Sequence, residues 1–373
     1  MNRKKILQIS HDYEQPFPQL LTQYMRLFDQ DAFEVTTLFL RGQPRADILP
    51  ANLGKVRFLN LAPGSLRGLK LKALIKLRDY IKNQRFEMVI AHRYKSIYLV
   101  NLLQSLGYQK DLPWVLGVAH EFELMGRSGR RVLAKLFGAR LYLAGVSLPI
   151  CQELIHDSPT KLQARVFQLE NCIDVERLKN SHVDRLEARR HLGIANDQFV
   201  FAAVGRLVPK KNHEWLIRAF GAAKFSDDTV LVILGSGRIR DRLQSLIDEL
   251  HLSKQVLLLG NIAEAPRYFK AFDHFVLPSH MEPFGMVLLE AMAANIPITA
   301  AATPAVQDIL DDFGTLVEPN HLTALSQSLV EVRSWTDEHR ARIVAAAEDK
   351  LNRAYSVPAF HQNFWQLPLP WSS

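Results

Sequence analysis

Short apolar runs alternate along this chain with longer segments in which apolar positions recur every three or four residues. Runs of four to eight residues bounded by glycine, proline and polar groups predict buried strands, and the longer segments predict amphipathic helices that cover them. In the first half the predicted strands are "KILQIS", "FEVTTLFL", "KVRFLNL", "FEMVIAH", "WVLGVAH" and "LYLAGVS". In the second half they are "FVFAAVGRL", "TVLVILG", "QVLLLGN", "HFVLPSH" and "PITAAA", with helical segments such as "HEWLIRAFGAAK" and "IRDRLQSLIDELHL" between strands. Strand–helix alternation builds parallel sheets. The pattern stops and restarts across "NCIDVERLKNSHVDRLEARRHLGI", which reads as polar, charged and turn-rich. The prediction is therefore α/β: two Rossmann-like doubly wound domains, residues 1–180 and 181–350, facing across a cleft. The aromatic segment 351–373 is expected to pack on a domain surface.

Composition narrows this picture. A chain of 373 residues that is 48% apolar and 23% charged is globular and too long for one ordinary core. No apolar stretch approaches the ~18 residues of a membrane span, and the start "MNRKKILQIS" has too short an apolar run for a signal peptide. The two cysteines, Cys151 and Cys172, imply no disulfide framework, so a cytoplasmic location is expected. The net charge of +8 is uneven: residues 1–180 carry 27 Lys and Arg against 16 Asp and Glu, residues 181–373 carry 19 against 22. Without a helix-turn-helix or an aromatic-rich basic motif, nucleic acid is not an expected partner; an anionic acceptor or membrane surface is. Within "GSLRGLKLKALIKLRDYIKNQR", Leu66, Leu69, Ala73, Leu74, Leu77, Tyr80 and Ile81 share one helical face, while Leu71 and Ile75 fall among the cations. The first face suits sheet covering; the second suits a membrane surface.

Three stretches carry candidate chemistry. "LGSGRIR" places Gly235 and Gly237 directly after a strand, but lacks the third glycine of a dinucleotide fingerprint, and such a pair also makes a tight turn. In "AVGRLVPKKNHEWLIRAF" a strand ends at Gly205, Arg206 and Lys211 follow, and a helix begins near Asn212 or His213. A bare backbone, two cations and a helix N-terminus suit a diphosphate. In "HMEPFGMVLLEAMAANIP" a helix is predicted to start near Gly285, again offering free N–H groups to phosphate. Glu290 then lies in its second turn, able to accept from the vicinal hydroxyls of a ribose, and Glu282 lies in the preceding loop, within reach of a sugar. Asp29 and Asp31 of "FDQDAF" make a DxD pair, but in a turn before a strand, so no metal site is expected there.

The ordered set "VGRL" with Lys211, "LGSG", "VLLLGN", "VLPSHMEPFGMVLLEAMA" and "IPITAAATPAVQDIL" with "GTLVEP" resembles the family 4 retaining glycosyltransferases of the GT-B fold. The likeness is close over residues 198–320 and looser before. It implies a metal-independent enzyme, without cofactor, moving a hexose or heptose from a nucleotide-diphosphate sugar to a hydroxyl of a glycan, glycolipid or lipopolysaccharide-core acceptor. By the same likeness Arg206 and Lys211 hold the donor diphosphate, Glu282 touches the transferred sugar and Glu290 binds the ribose. Gly205, Phe284, Gly285 and Met286 supply backbone to phosphates and sugar, and Asn261 and Ile262 grip the base. His120, ending "WVLGVAH", reaches the sugar near the reacting carbon, and His92 ends a second such strand. An enzyme of this kind is expected in the cytoplasm, peripheral on the inner face of the membrane. Two departures stand out: Cys172 replaces a glycine in "LENCID", and "SHDYEQPFPQ" lacks the glycine pair the family places after its first strand. The alternatives are a nucleotide-sugar epimerase or nicotinamide-dependent oxidoreductase, which would carry the full glycine fingerprint, and a non-catalytic module binding membrane or nucleic acid.

Overall fold

The computed structural model describes residues 3–13, 17–43, 49–66, 70–82, 84–108, 112, 114–124, 140–310 and 313–370. By contacts the chain divides into two compact units, Met1–Asn171 with Phe360–Ser373, and Cys172–Ala359.

The first unit is built on a seven-stranded parallel sheet. Its strands are β1 (Lys4–Ser10), β2 (Phe33–Phe39), β3 (Lys55–Phe58), β4 (Met88–His92), β5 (Val115–Ala119), β6 (Leu141–Gly145) and β7 (Val166–Gln168), in the order β3-β2-β1-β4-β5-β6-β7. The central strands β4 and β5 are buried along their whole length, which is why they read as unbroken apolar runs. The helix Leu71–Ile81 buries Ala73, Leu74, Leu77 and Ile81 and leaves Leu71 60% and Ile75 48% exposed; of the rest of the expected buried face, Leu66 lies in the preceding turn Pro63–Leu66, Tyr80 is partly buried, and Leu69 lies outside the described residues. The chain returns to this unit at its C-terminal end: Phe360 meets Tyr24 edge-on at 5.0 Å and Phe364 meets Phe28 at 5.9 Å.

The second unit holds six parallel strands: β8 (Phe199–Val204), β9 (Thr229–Leu234), β10 (Val256–Gly260), β11 (His274–Leu277), β12 (Ile298–Ala301) and β13 (Thr315–Val317), in the order β10-β9-β8-β11-β12-β13. Both sheets are doubly wound. Two short edge strands, β7 and β13, escape the sequence pattern because three residues carry no periodicity.

The stretch read as turn-rich is instead helical. Asp174 accepts from the Arg177 N–H at 3.2 Å and starts the helix Val175–Ser181; Asp184 accepts from the Glu187 N–H at 3.0 Å and starts Arg185–Leu192. Arg189 on the second helix is fully buried, donating to Ala271 O, Ala195 O and Asn196 O and pairing with Asp273 at 2.8 Å. These helices belong to the second unit, so the contacts divide the chain after Asn171, whereas the sequence places the division near 180. Ile173 donates to Tyr355 O at 3.0 Å, and Lys179 pairs with Glu348.

Candidate functional site

In each sheet the strand order reverses once, at β1/β4 in the first and at β8/β11 in the second. Loops leaving neighbouring strands there depart to opposite faces and open a crevice at the carboxyl ends. Most of the residues singled out in the sequence lie on the loops at the second of these points.

Beyond β8 the backbone of Gly205, Arg206 and Leu207 is pinned by the loop after β9. Gly205 N donates to Leu234 O at 2.9 Å and Leu207 N to Ser236 O at 2.9 Å. Gly235 has φ +139°, and a Cβ there would stand 1.9 Å from Gly205 O; a Cβ on Gly237 would stand 2.2 Å from Leu207 O. The two glycines after β9 thus serve close backbone packing, not a dinucleotide. At Gly205 a Cβ would meet the Lys211 and His213 side chains only at ordinary distances, 3.7 Å and 3.9 Å, so the packing does not demand glycine there, and its absence of a side chain leaves the backbone bare.

Arg206 is exposed. Lys211 ends the turn Pro209–Lys211, Asn212 takes a left-handed φ of +53°, and the helix His213–Ala223 follows. The Lys211 Nζ pairs with Glu282 Oε2 at 2.5 Å, and Glu282 is only 8% exposed. Buried His213 lies beneath this loop, its Nε2 3.9 Å from where a Cβ on Gly205 would sit. Burial, and then Lys211, hold its imidazole down at about 4, so it is neutral near pH 7.

Glu282 leads through Phe284, whose ring packs edge-on against Tyr355 at 5.9 Å, to Gly285 at φ +109°. A Cβ on Gly285 would be 2.9 Å from Leu288 Cδ1. Gly285 caps the helix Met286–Ala293, and the N–H groups of Met286 and Val287 donate to no acceptor among the described residues. Asn295 follows at φ +60°, the left-handed exit expected of it. Glu290, half-buried on that helix, has no ion pair among the described residues, and burial pushes its carboxyl up to about 7. Asn261, exposed, and Ile262, partly exposed, follow Gly260 at the end of β10, where Gly235 N donates to Gly260 O at 2.7 Å.

His92 and His120 belong to the first unit, at the ends of β4 and β5. Their rings stack at 5.3 Å, and His92 Nδ1 lies 3.0 Å from His120 Nε2. One of the two must donate and the other accept, so the two rings cannot both be imidazolium ions. Burial lowers both, His92 further through His120, His120 to about 3. His92 is held on another side by the edge of Tyr24 at 4.7 Å.

A charged cluster that the sequence reading passed over stands beside them. His11, just past β1, lies 2.5 Å from Asp12 Oδ2 through Nδ1 and 3.2 Å from Lys95 Nζ through Nε2. Arg93 Nη1 is 3.9 Å from Asp12 Oδ1, and Arg93 holds a left-handed φ of +64°. Arg41, past β2, donates its backbone N–H to His11 O at 3.0 Å. The signal was present as "SHD" and "AHRYKS" at two strand ends, but a polar residue after a strand is common, and only the fold brings positions 84 residues apart together. Asp29 and Asp31 form a turn, Asp31 N donating to Asp29 Oδ1 at 2.9 Å. Cys151 is buried with its thiol raised to about 11 by burial, which leaves it unreactive.

Residues 184–350 match the family model described as glycosyl transferases group 1. The chain is 26% identical over 332 residues to an Escherichia coli UDP-Gal:alpha-D-GlcNAc-diphosphoundecaprenol alpha-1,3-galactosyltransferase, spanning 83% of this chain and 82% of the relative. It is 32% identical over 194 residues to a Campylobacter jejuni N-acetylgalactosamine-N,N'-diacetylbacillosaminyl-diphospho-undecaprenol 4-alpha-N-acetylgalactosaminyltransferase, spanning 51% of this chain and 47% of that one. Among solved structures it resembles Anabaena HepE in complex with UDP and glucose, with a TM-score of 0.78 at 18% identity over 97% of this chain and 98% of that one.

Proposed function

Because residues 184–350 belong to the group 1 glycosyl transferases in a chain with the GT-B fold, we propose that this protein moves a hexose or heptose, with retention, from a UDP-sugar to a hydroxyl of a lipid-linked saccharide. One observation carries the reading. At the reversal of the second sheet, Lys211 and buried Glu282 are paired beside a helix start whose N–H groups are unspent. Lys211, Arg206 and the Met286 and Val287 N–H groups neutralise the diphosphate as the bond to the sugar breaks. These cations do the work a metal ion would do, so the transfer is metal-independent. The acceptor oxygen bonds to the anomeric carbon on the face the diphosphate leaves, and the acceptor proton passes to the departing phosphate oxygen. Glu282 accepts from a sugar hydroxyl, Glu290 from the ribose, and Asn261 and Ile262 hold the base. His120, paired with His92, is assigned to the sugar.

The two relatives above carry acceptors on diphosphoundecaprenol in their names, which favours a membrane-borne, anionic acceptor over a free glycan. No helix among the described residues is long and apolar enough to cross a membrane. We place the protein in the cytoplasm, against the inner membrane face through the helix Leu71–Ile81, where Leu71 and Ile75 stand exposed beside Lys72 and Lys76. Sedimentation with phosphatidylglycerol vesicles, lost in the L71E/I75E double variant, is the expected mark of that surface. Nothing in the site favours the epimerase reading, since Gly235 and Gly237 are committed to backbone packing.

A thermal-shift panel of UDP-, GDP- and ADP-sugars tests the donor assignment, because a ligand that binds only the folded state raises its melting temperature by mass action. UDP-sugars are expected to raise it, and Glu290→Ala to diminish the rise. A panel in which no nucleotide sugar shifts the protein overturns the reading.

A further inference from the structure

The reversal point of the first sheet has no part in holding the nucleotide in the scheme above, yet it is where the polar side chains of that unit converge. Lys95 has only donors, so the His11 Nε2 facing it at 3.2 Å is an acceptor. The imidazole proton therefore sits on Nδ1 and is donated to Asp12 Oδ2. Asp12 spends its other oxygen on Arg93, so one carboxylate serves both His11 and Arg93. Lys95 is left with a neutral ring as its hydrogen-bond partner, and Arg41 has no ion pair among the described residues. Burial and then the charge of Arg41 pull the Lys95 ammonium below its ordinary value, with Arg93 adding to the effect and Asp12 and Glu121 opposing it. Three cations from the ends of β2 and β4 thus gather around His11 and Asp12, with Glu121 the other acid acting on Lys95 among the described residues, at a sheet's natural ligand position. Mutual repulsion of this kind is relieved by an anion with several oxygens.

We infer that Arg41, Arg93 and Lys95, arrayed around His11, form a second anion site, and that it takes the diphosphate linking the acceptor's sugar to its lipid. The inference rests on the proposed transferase reading for the identity of the acceptor. It also bears on the departure at the N-terminus: where the resemblance leads one to expect a glycine pair after the first strand, this chain has "SHDYEQPFPQ", and Lys95 and Arg93, from the end of β4, meet His11 and Asp12 there.

The donor also carries a diphosphate, so the test must separate the two sources. The full chain is first saturated with UDP and then titrated calorimetrically with farnesyl diphosphate, and separately with inorganic pyrophosphate. Both are expected to bind the UDP-saturated protein. The R93Q/K95Q variant should weaken both at least tenfold while leaving UDP affinity within twofold, which also reports that it is folded. R41Q should weaken both to a lesser degree, and K95R should keep most of the affinity. If neither diphosphate binds once UDP is in place, or if R93Q/K95Q weakens UDP as much as farnesyl diphosphate, the inference is wrong. A parent that does not bind UDP at all would instead count against the donor assignment, and the farnesyl diphosphate titration would still decide this site.

Discussion

The carboxyl of Glu290 lies on a helix whose Leu289, Ala291 and Met292 are all buried, and that burial lifts it to about 7. The folded value is above the unfolded one of about 4.3, so the native state holds more protons between those values. Its contribution to stability is therefore greatest at low pH and falls as pH rises through that window. Ribose hydroxyls donate, so they favour the ionised form, and nucleotide binding should run the other way. UDP-glucose has no phosphate group that titrates near 7, which makes it the right probe. Calorimetry should find it bound about tenfold more tightly at pH 8 than at pH 6, the ratio of ionised carboxyl at the two values, and Glu290→Gln should flatten the profile. A parent profile as flat as the variant's would remove Glu290 from the ribose. At this scale the residues on one loop were readable from the chain: Glu282, Gly285 and Glu290 fall where their spacing predicted. The pairing of Lys211 with Glu282 was not, because 71 residues separate them. Nor was the His11–Asp12–Lys95 cluster, whose members look like ordinary strand-end polar residues until β1 and β4 are laid side by side.

Between elements the decisive contact is the approach of the β9 loop to the end of β8. Gly235→Ala would need to place a methyl 1.9 Å from a carbonyl oxygen at a φ of +139°, and neither the backbone conformation nor the distance can be kept. Urea unfolding should show a loss of roughly 2 to 4 kcal/mol, in the range of strain at a special backbone position. The displaced Gly205–Leu207 segment should weaken nucleotide binding as well. A variant within about 0.5 kcal/mol of the parent would mean that the loop moves freely. Eleven of the thirteen strands among the described residues were visible as apolar runs because parallel strands covered on both faces have few polar positions. The two helices after Asp174 were not, because their outward faces are charged and their few apolar contacts carry little period; the caps Asp174 and Asp184 were the available signal. Arg189 also defeats a reading in which charge means surface.

Across the whole chain, the strand–helix alternation and the ordered motifs of residues 198–320 fixed the fold class, since each βα unit repeats one local rule. The division between units was harder to read. The chain leaves the second unit at Ala359 and returns to the first; the aromatics of 351–373 announced that the segment packs on a domain surface, but not that Phe360 and Phe364 meet Tyr24 and Phe28 of the first unit. The asymmetry of charge was legible from the start. The claim on which the proposed transfer depends is that the reversal point of the second sheet holds a nucleoside diphosphate. A crystal structure of the full chain with UDP tests it most directly. The account predicts the diphosphate oxygens within hydrogen-bond distance of Arg206, Lys211 and the Met286 or Val287 N–H, with the ribose hydroxyls on Glu290. UDP bound elsewhere, or a Lys211–Glu282 pair left untouched with no nucleotide beside it, would contradict it.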